Sequence, residues 1–275
     1  MDHNFSMQRK KIRIGDISIS YFLKESSTPP QKTVVFLHGF PFNKNMWLNQ
    51  LETLPNNVSG IAVDVRGHGL STIGHGYFSI DVFAKDLIVF IEKLNLKEVV
   101  LCGLSMGGYI ALRANQLAPH LFKGLVLADT NSQADSDEAK IKRFETIQSV
   151  LKFGRRVFAI GFVKRVFSEE SLLTKMDEVE MIRSSIRRND VRSICATLLA
   201  LASRTDTTDS LQNIPFPCLI IRGAEDQLMS VEQTEILRKN IKNAKLEVMD
   251  KCGHLPNLED PTTFNRLLNQ YLNEL

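Results

Sequence analysis

The 275 residues carry 34 Lys and Arg against 31 Asp and Glu, a formal net charge of +3, with 43% apolar and 24% charged side chains. These proportions are ordinary for a soluble globular chain, and the near balance of charge argues against a nucleic-acid binder, which needs clustered Lys and Arg. No apolar run approaches roughly 18 residues, so no membrane-spanning helix is expected, and the opening MDHNFSMQRKK has no apolar stretch after its charges to make a signal peptide.

From residue 11 to 24 apolar and polar residues alternate, with Ile12 and Ile14, then Ile17, Ile19 and Tyr21, broken at Gly15-Asp16. That pattern predicts an antiparallel hairpin, with Arg9-Lys10-Lys11 as the solvated start of its first strand. Met7 is an alternative initiator to Met1, a choice the sequence leaves open. SSTPPQ at 26–31 is a loop. The character then changes: TVVFL at 33–37 is a continuous apolar run, as expected for a strand buried on both faces. Similar runs recur at 60–63, 98–102, 124–128, 218–221 and 246–249. Helix-period segments lie between most of them, at 45–54, 79–94, 106–117 and 231–241, and one at 261–272 closes the chain. This alternation predicts an α/β fold: a mostly parallel sheet with helices on both faces and the N-terminal hairpin as antiparallel strands at one edge.

One region breaks the alternation. Residues 131–211 show helical periodicity, many charges and no convincing strand, in a block too long for a structureless loop. They read as a helical cap inserted between two sheet strands, with 1–130 and 212–275 forming the core. TDTTDS at 205–210 marks its exit, and Asp206 and Asp209 read as solvated. The basic pairs Arg155-Arg156, Lys164-Arg165 and Arg187-Arg188 read as the wet faces of helices. The four cysteines, Cys102, Cys195, Cys218 and Cys252, form no C-x-x-C pair and no Cys/His cluster of zinc spacing. They read as free thiols in a reducing, cytoplasmic compartment.

Gly103-Leu104-Ser105-Met106-Gly107 carries the strongest chemical signal. It is G-x-S-x-G, placed directly after the apolar run 98–102 and directly before a helix-period segment. A strand that turns sharply into a helix pushes one residue into a strained conformation and exposes it above the sheet edge. The small residues at 103 and 107 let neighbouring chain pass close by. Ser105 then stands at a helix N-terminus, whose dipole favours developing negative charge.

Other motifs stand around this turn in a fixed order. They are His38-Gly39-Phe40-Pro41, the stretch DVRGHGLS at 64–71, Arg222-Gly223-Ala224-Glu225-Asp226, Gly253-His254 and Glu259-Asp260-Pro261. With them the chain resembles the α/β-hydrolase superfamily over nearly its whole length. The first is similar to the family's HGxP loop, the second to its D-x-R-G-x-G-x-S stretch, and Gly103 to Gly108 to its nucleophile elbow. The next two resemble the loops of its acid and its histidine, and the last the entry to the final helix. The finer likeness is to the serine esterase, enol-lactonase and cofactor-free haloperoxidase group, which shares the G-L-S-M-G-G elbow.

A serine hydroxyl needs an adjacent base. Of the six histidines, His3 is in the N-terminal stretch, His38 and His68 belong to the loops above, His75 sits in a Gly-rich loop and His120 follows Pro119. His254 follows the last strand and completes the order Ser, Asp, His that the fold uses. Asp226 is the first choice for the acid that fixes the imidazole tautomer and supports its charge. Asp129, after the strand at 124–128, is a rival, because some members of the superfamily resemble that arrangement. The resemblance assigns the two oxyanion donors to the backbone N–H groups of Phe40 and Met106, with His38, Asp64 and Arg66 bracing their loops. Phe40, Trp47, Met106 and Met229 are candidate apolar linings of a substrate pocket, and Phe158, Phe162 or Phe167 would add walls from the insertion.

The resemblance implies a hydrolase for a carboxylic ester or lactone of a small molecule, with no metal or organic cofactor. No nucleic acid and no membrane is expected as a partner, and a homodimer stays open. Perhydrolysis and C–C bond hydrolysis would use the same three residues. A small-molecule receptor or signalling regulator on the same fold is the alternative of a different class.

Overall fold

The computed structural model describes residues 7–275, so His3 and Met1 lie outside the described residues. The N-terminal alternation becomes an antiparallel pair, β1 (Gln8–Ile14) and β2 (Ile17–Lys24), which turns at Gly15 with φ +50°. Six more strands follow: β3 (Lys32–Leu37), β4 (Val58–Val63), β5 (Val99–Leu104), β6 (Phe122–Ala128), β7 (Cys218–Gly223) and β8 (Ala244–Met249). The sheet runs β1-β2-β4-β3-β5-β6-β7-β8. β2 lies antiparallel to β4, and every pairing beyond that is parallel. Parallel strands deliver all their C-terminal ends to one edge. The loops after β3, β5, β6, β7 and β8 therefore meet there.

The apolar runs are strands because helices cover both faces. Alternate residues of one strand face opposite sides. Val35 and Leu37 join a core with α2 (Ile80–Lys93), α3 (Met106–Leu117) and α8 (Val231–Asn240), through Phe83, Ile110 and Leu237. Val34 and Phe36 join a second core with α1 (Leu48–Glu52) and α10 (Pro261–Glu274), through Leu51, Phe264 and Leu268. The helix expected at 45–54 is realised differently. A 3₁₀ turn at Lys44–Trp47, capped by the Asn43 side chain, precedes the short α1. That turn drops Met46 and Trp47 fully into the second core.

Between β6 and β7 the chain forms four helices: α4 (Asp137–Val166), α5 (Glu169–Thr174), α6 (Met176–Arg188) and α7 (Val191–Ala202). Ser136, Ser168 and Asp190 cap α4, α5 and α7 with their side chains, each satisfying one orphan N–H of a first turn. α4 is broken at Gly154, where φ +79° and ψ 165° suit a residue without Cβ. TDTTDS leads into a 3₁₀ turn at Thr208–Asn213, and Asp206 and Asp209 are both exposed. The short α9 (Pro256–Glu259) was not expected from the sequence. Among the described residues no helix is long and apolar enough to cross a membrane.

Candidate active site

Ser105 is the residue on which β5 turns into α3. Its φ of +54° and ψ of −117° lie where a side chain is normally disfavoured, so the surroundings must hold it. Ser105 N–H donates to Ala128 O at 2.9 Å, and Ser105 O accepts from Gly108 N–H and from Thr130 Oγ1, both at 2.8 Å. A Cβ at Gly103 would strike the Gly107 carbonyl, and one at Gly107 would strike Leu37 O. The two glycines are thus required by close backbone approach. Ser105 is half-buried, and its Oγ makes no hydrogen bond among the described residues.

Asp226 and His254 come from the loops after β7 and β8. His254 Nδ1 lies 2.9 Å from Asp226 Oδ2. A carboxylate only accepts, so Nδ1 carries the hydrogen and Nε2 keeps a free lone pair. Leu228 N–H donates to the other oxygen of Asp226 at 2.8 Å. Burial works against the Asp226 charge, but His254 and these hydrogen bonds outweigh it and hold the carboxyl below its ordinary value. His254 N–H donates to Val166 O at 2.9 Å, which ties the histidine loop to the last residue of α4. Glu259 reinforces the tie: its oxygens accept from Ser168 N–H at 2.8 Å and Leu255 N–H at 3.1 Å.

Asp129, at the end of β6, is 2% exposed, and its Oδ1 accepts from Gly223 N–H at 3.0 Å. A polar atom from each of Asp129, Asp226 and His254 falls within 4.8 Å of the others. The imidazole hydrogen bond nevertheless goes to Asp226. Burial first, and the Asp226 charge second, push the Asp129 carboxyl well above its ordinary value. Cys252 is buried two residues before His254; burial pushes its thiol up to about 12, so it is inert as a nucleophile.

The loop after β3 is braced from three sides. Val65 N–H donates to His38 Nε2 at 3.0 Å, so His38 Nδ1–H donates to Gly39 O at 2.9 Å. Burial depresses this histidine to about 4, so it stays neutral. Asp64, fully buried, pairs with Lys44 Nζ and accepts from Lys44 N–H and Leu70 N–H. Arg66 clamps Asp16 and Asp86. Asn189, just beyond α6, donates from Nδ2 to Pro41 O at 2.6 Å. The peptide N–H groups of Phe40 and Met106 donate to no acceptor among the described residues.

Phe40 faces the insertion, with its ring centroid 6.3 Å from Phe158 and 6.1 Å from Phe162. Met229 Sδ lies 3.2 Å from Asn131 Nδ2 and 3.8 Å from Tyr109 Oη. Phe167 is buried at the end of α4. Trp47 is fully buried, its ring against Phe36 at 5.1 Å and Phe264 at 6.0 Å in the second core. Of the basic pairs, Arg155 donates to Asn189 O and Arg187 to Glu180, while Lys164 and Arg165 are exposed. Sequence reasoning did not single out Asn189, Thr130, Tyr109 or Asn131. Of these, Thr130 and Asn131 could have been flagged as polar residues directly after an apolar strand end.

The family described as alpha/beta hydrolase fold matches residues 32–261. The chain is 26% identical to the 3-oxoadipate enol-lactonase 2 of Acinetobacter baylyi over 91% of each chain. It is also 26% identical to a monoacylglycerol lipase of Bos taurus, over 97% of this chain and 82% of that one. Among solved structures, a thermophilic esterase from Thermogutta terrifontis superposes with a TM-score of 0.89 at 29% identity, covering 97% of this chain and 98% of the other.

Proposed function

This chain belongs to the alpha/beta hydrolase fold family, and from that premise we propose a serine hydrolase that cleaves a carboxylic ester or lactone of a small molecule. In this reading Ser105 Oγ attacks the carbonyl carbon while His254 Nε2 takes its proton. Asp226 keeps Nδ1 protonated and supports the imidazolium that forms. The oxyanion is received by the N–H groups of Phe40 and Met106, which are held in place before substrate arrives, so little reorganisation is needed at the moment of reaction. His254 then protonates the leaving alcohol. It next takes a proton from the water that attacks the acyl-serine, and returns that proton to Ser105 Oγ as the acyl–oxygen bond breaks and the acid leaves. The scheme is complete with side chains and backbone and uses no metal or organic cofactor.

The observation that carries the reading is the buried His254–Asp226 hydrogen bond of 2.9 Å on the same sheet edge as the strained Ser105. The relatives' names, a lactonase, a lipase and an esterase, share carbonyl–oxygen cleavage, which supports the ester or lactone class over a narrower one. The four free cysteines fit a cytoplasmic setting.

The test is turnover of p-nitrophenyl butyrate and of small lactones by the wild type and by Ser105→Ala, with labelling by a serine-directed phosphonate. Many turnovers that vanish in the variant, with label on Ser105, are expected. One equivalent of phenol followed by a stable acyl-enzyme would favour a receptor. Label on another residue, with Ser105 unmodified, would refute the assignment.

A further inference from the structure

Asp129 presents a problem of charge. Its carboxyl is shut away from water, and Oδ1 is taken by Gly223 N–H. Oδ2 is fully buried and finds no donor among the described residues. Asp226 stands beside it as a second carboxyl, with both oxygens already accepting, from His254 Nδ1–H and from Leu228 N–H. Two carboxylates this close in a dry site cannot both ionise. The two donors on Asp226 favour charge there, so the proton belongs to its neighbour.

The other groups around Asp129 do not change this balance. Arg222, at the end of β7, contributes positive charge but donates to Met229 O at 2.9 Å. Cys252 is a neutral thiol, and Tyr109, facing Asp226 from α3, is held neutral chiefly by burial. His254 is committed to Asp226.

We propose that Asp129 is a positioning residue that keeps a proton on Oδ2 and donates it in a hydrogen bond to the Asp226 carboxylate. The result is a buried relay of orientation: Gly223 N–H donates to Asp129, Asp129 donates to Asp226, and Asp226 accepts from His254 Nδ1–H. No proton leaves Asp129 during turnover. The backbone helps aim the side chain: Asp129 has φ +38°, and its N–H is held by Ile221 O at 2.9 Å. The proposal rests on the reading of Ser105, His254 and Asp226 given above, but the protonation state can be measured without substrate.

The experiment compares the wild type with Asp129→Asn and Asp129→Ala, by infrared difference spectroscopy at neutral pH and by the pH profile of kcat/KM on p-nitrophenyl butyrate. The wild type should show the C=O band of a buried, protonated carboxyl, lost in Asp129→Asn. The amide is neutral and still donates, so Asp129→Asn should keep kcat within about tenfold and leave the acid limb of the profile in place. Asp129→Ala lacks the donor and should lose about ten- to hundredfold in kcat, the worth of a hydrogen bond to a charged group.

An active wild type without the band overturns the proposal. So does an acid limb that moves down by about one to three pH units in Asp129→Asn, because that is the effect of removing a true negative charge near an imidazole. A divalent ion retained by the three side chains and released by EDTA, with loss of activity, overturns it too. If no ester is turned over but the band is present, the hydrolase reading fails and the assignment of the proton stands.

Discussion

Asn189 Nδ2 donates to Pro41 O at 2.6 Å, joining the end of α6 to the loop after β3 across 148 residues of sequence. Its Oδ1 also accepts from Gly69 N–H at 3.3 Å. One buried amide thus links the insertion to the two loops that hold Phe40. Asn189→Ala removes both bonds and leaves Pro41 O without its donor. Stability should fall by about 1–3 kcal/mol. Ester hydrolysis should lose about tenfold or more in kcat, because small displacements of a pre-placed donor are costly. Thermal melts and steady-state kinetics check both. Unchanged kcat would show that the loop holds Phe40 without this amide.

Asp226→Asn keeps the shape of the residue but not the charge, and its amide can present N–H to Nδ1. The imidazole then takes the wrong tautomer, and kcat should fall about 10⁴-fold. Asp129→Asn should be far milder. If the variant at 129 is the dead one, the assignment of the acid is reversed.

The folded chain should lose stability as pH falls from about 6.5 toward 4. Burial depresses His38 from 6.5 to about 4 and His68 from 6.5 to about 3. The unfolded chain takes up these protons near 6.5, and the folded chain does not until the lower values. Their contribution is therefore complete above 6.5 and drains below it, by about 3 kcal/mol for His38 at the lower limit. Melting temperature against pH should slope steeply in this window for the wild type and less for His38→Gln. An identical slope in the variant would rule out His38 as a source.

Trp47→Ala should destabilise the chain by about 3–5 kcal/mol, the range for a buried aromatic, and leave KM for p-nitrophenyl butyrate unchanged. A KM raised severalfold with an unaltered melting temperature would return Trp47 to the pocket.

Local signals made much of this legible in advance. The turn at Ser105 stood out because β5 is six buried residues long and ends in G-x-S-x-G. His254 and Asp226 could be placed because each follows a strand whose C-terminal end a parallel sheet must bring to one edge. Trp47 follows the loop of His38 to Pro41 in sequence, and how deeply the 3₁₀ turn buries it shows only in the structure. Gly154 lies among Phe153, Arg155 and Arg156, a context indistinguishable from a helix interior. Asn189 has no periodic neighbours and no motif; its partner is fixed by tertiary packing alone. The sequence presented Asp129 and Asp226 as competitors because both follow strands, whereas their pairing in one dry site shows only once both are seen to be buried together.

The anchorage of Val166 and Ser168 to the loop of His254 and Glu259 divides the insertion by tolerance to change. Substitutions near residues 166–168 should reach His254 through these bonds. The half of α4 before Gly154 makes none of these bonds and exposes Ile141, Phe144, Leu151 and Phe153, while Val150 and Ile147 pack it onto the core. Changes at those exposed positions should therefore reach His254 less than changes at 166–168 do. Part of the insertion is thus also part of what holds the candidate base, so covering segment and catalytic loop cannot drift wholly apart.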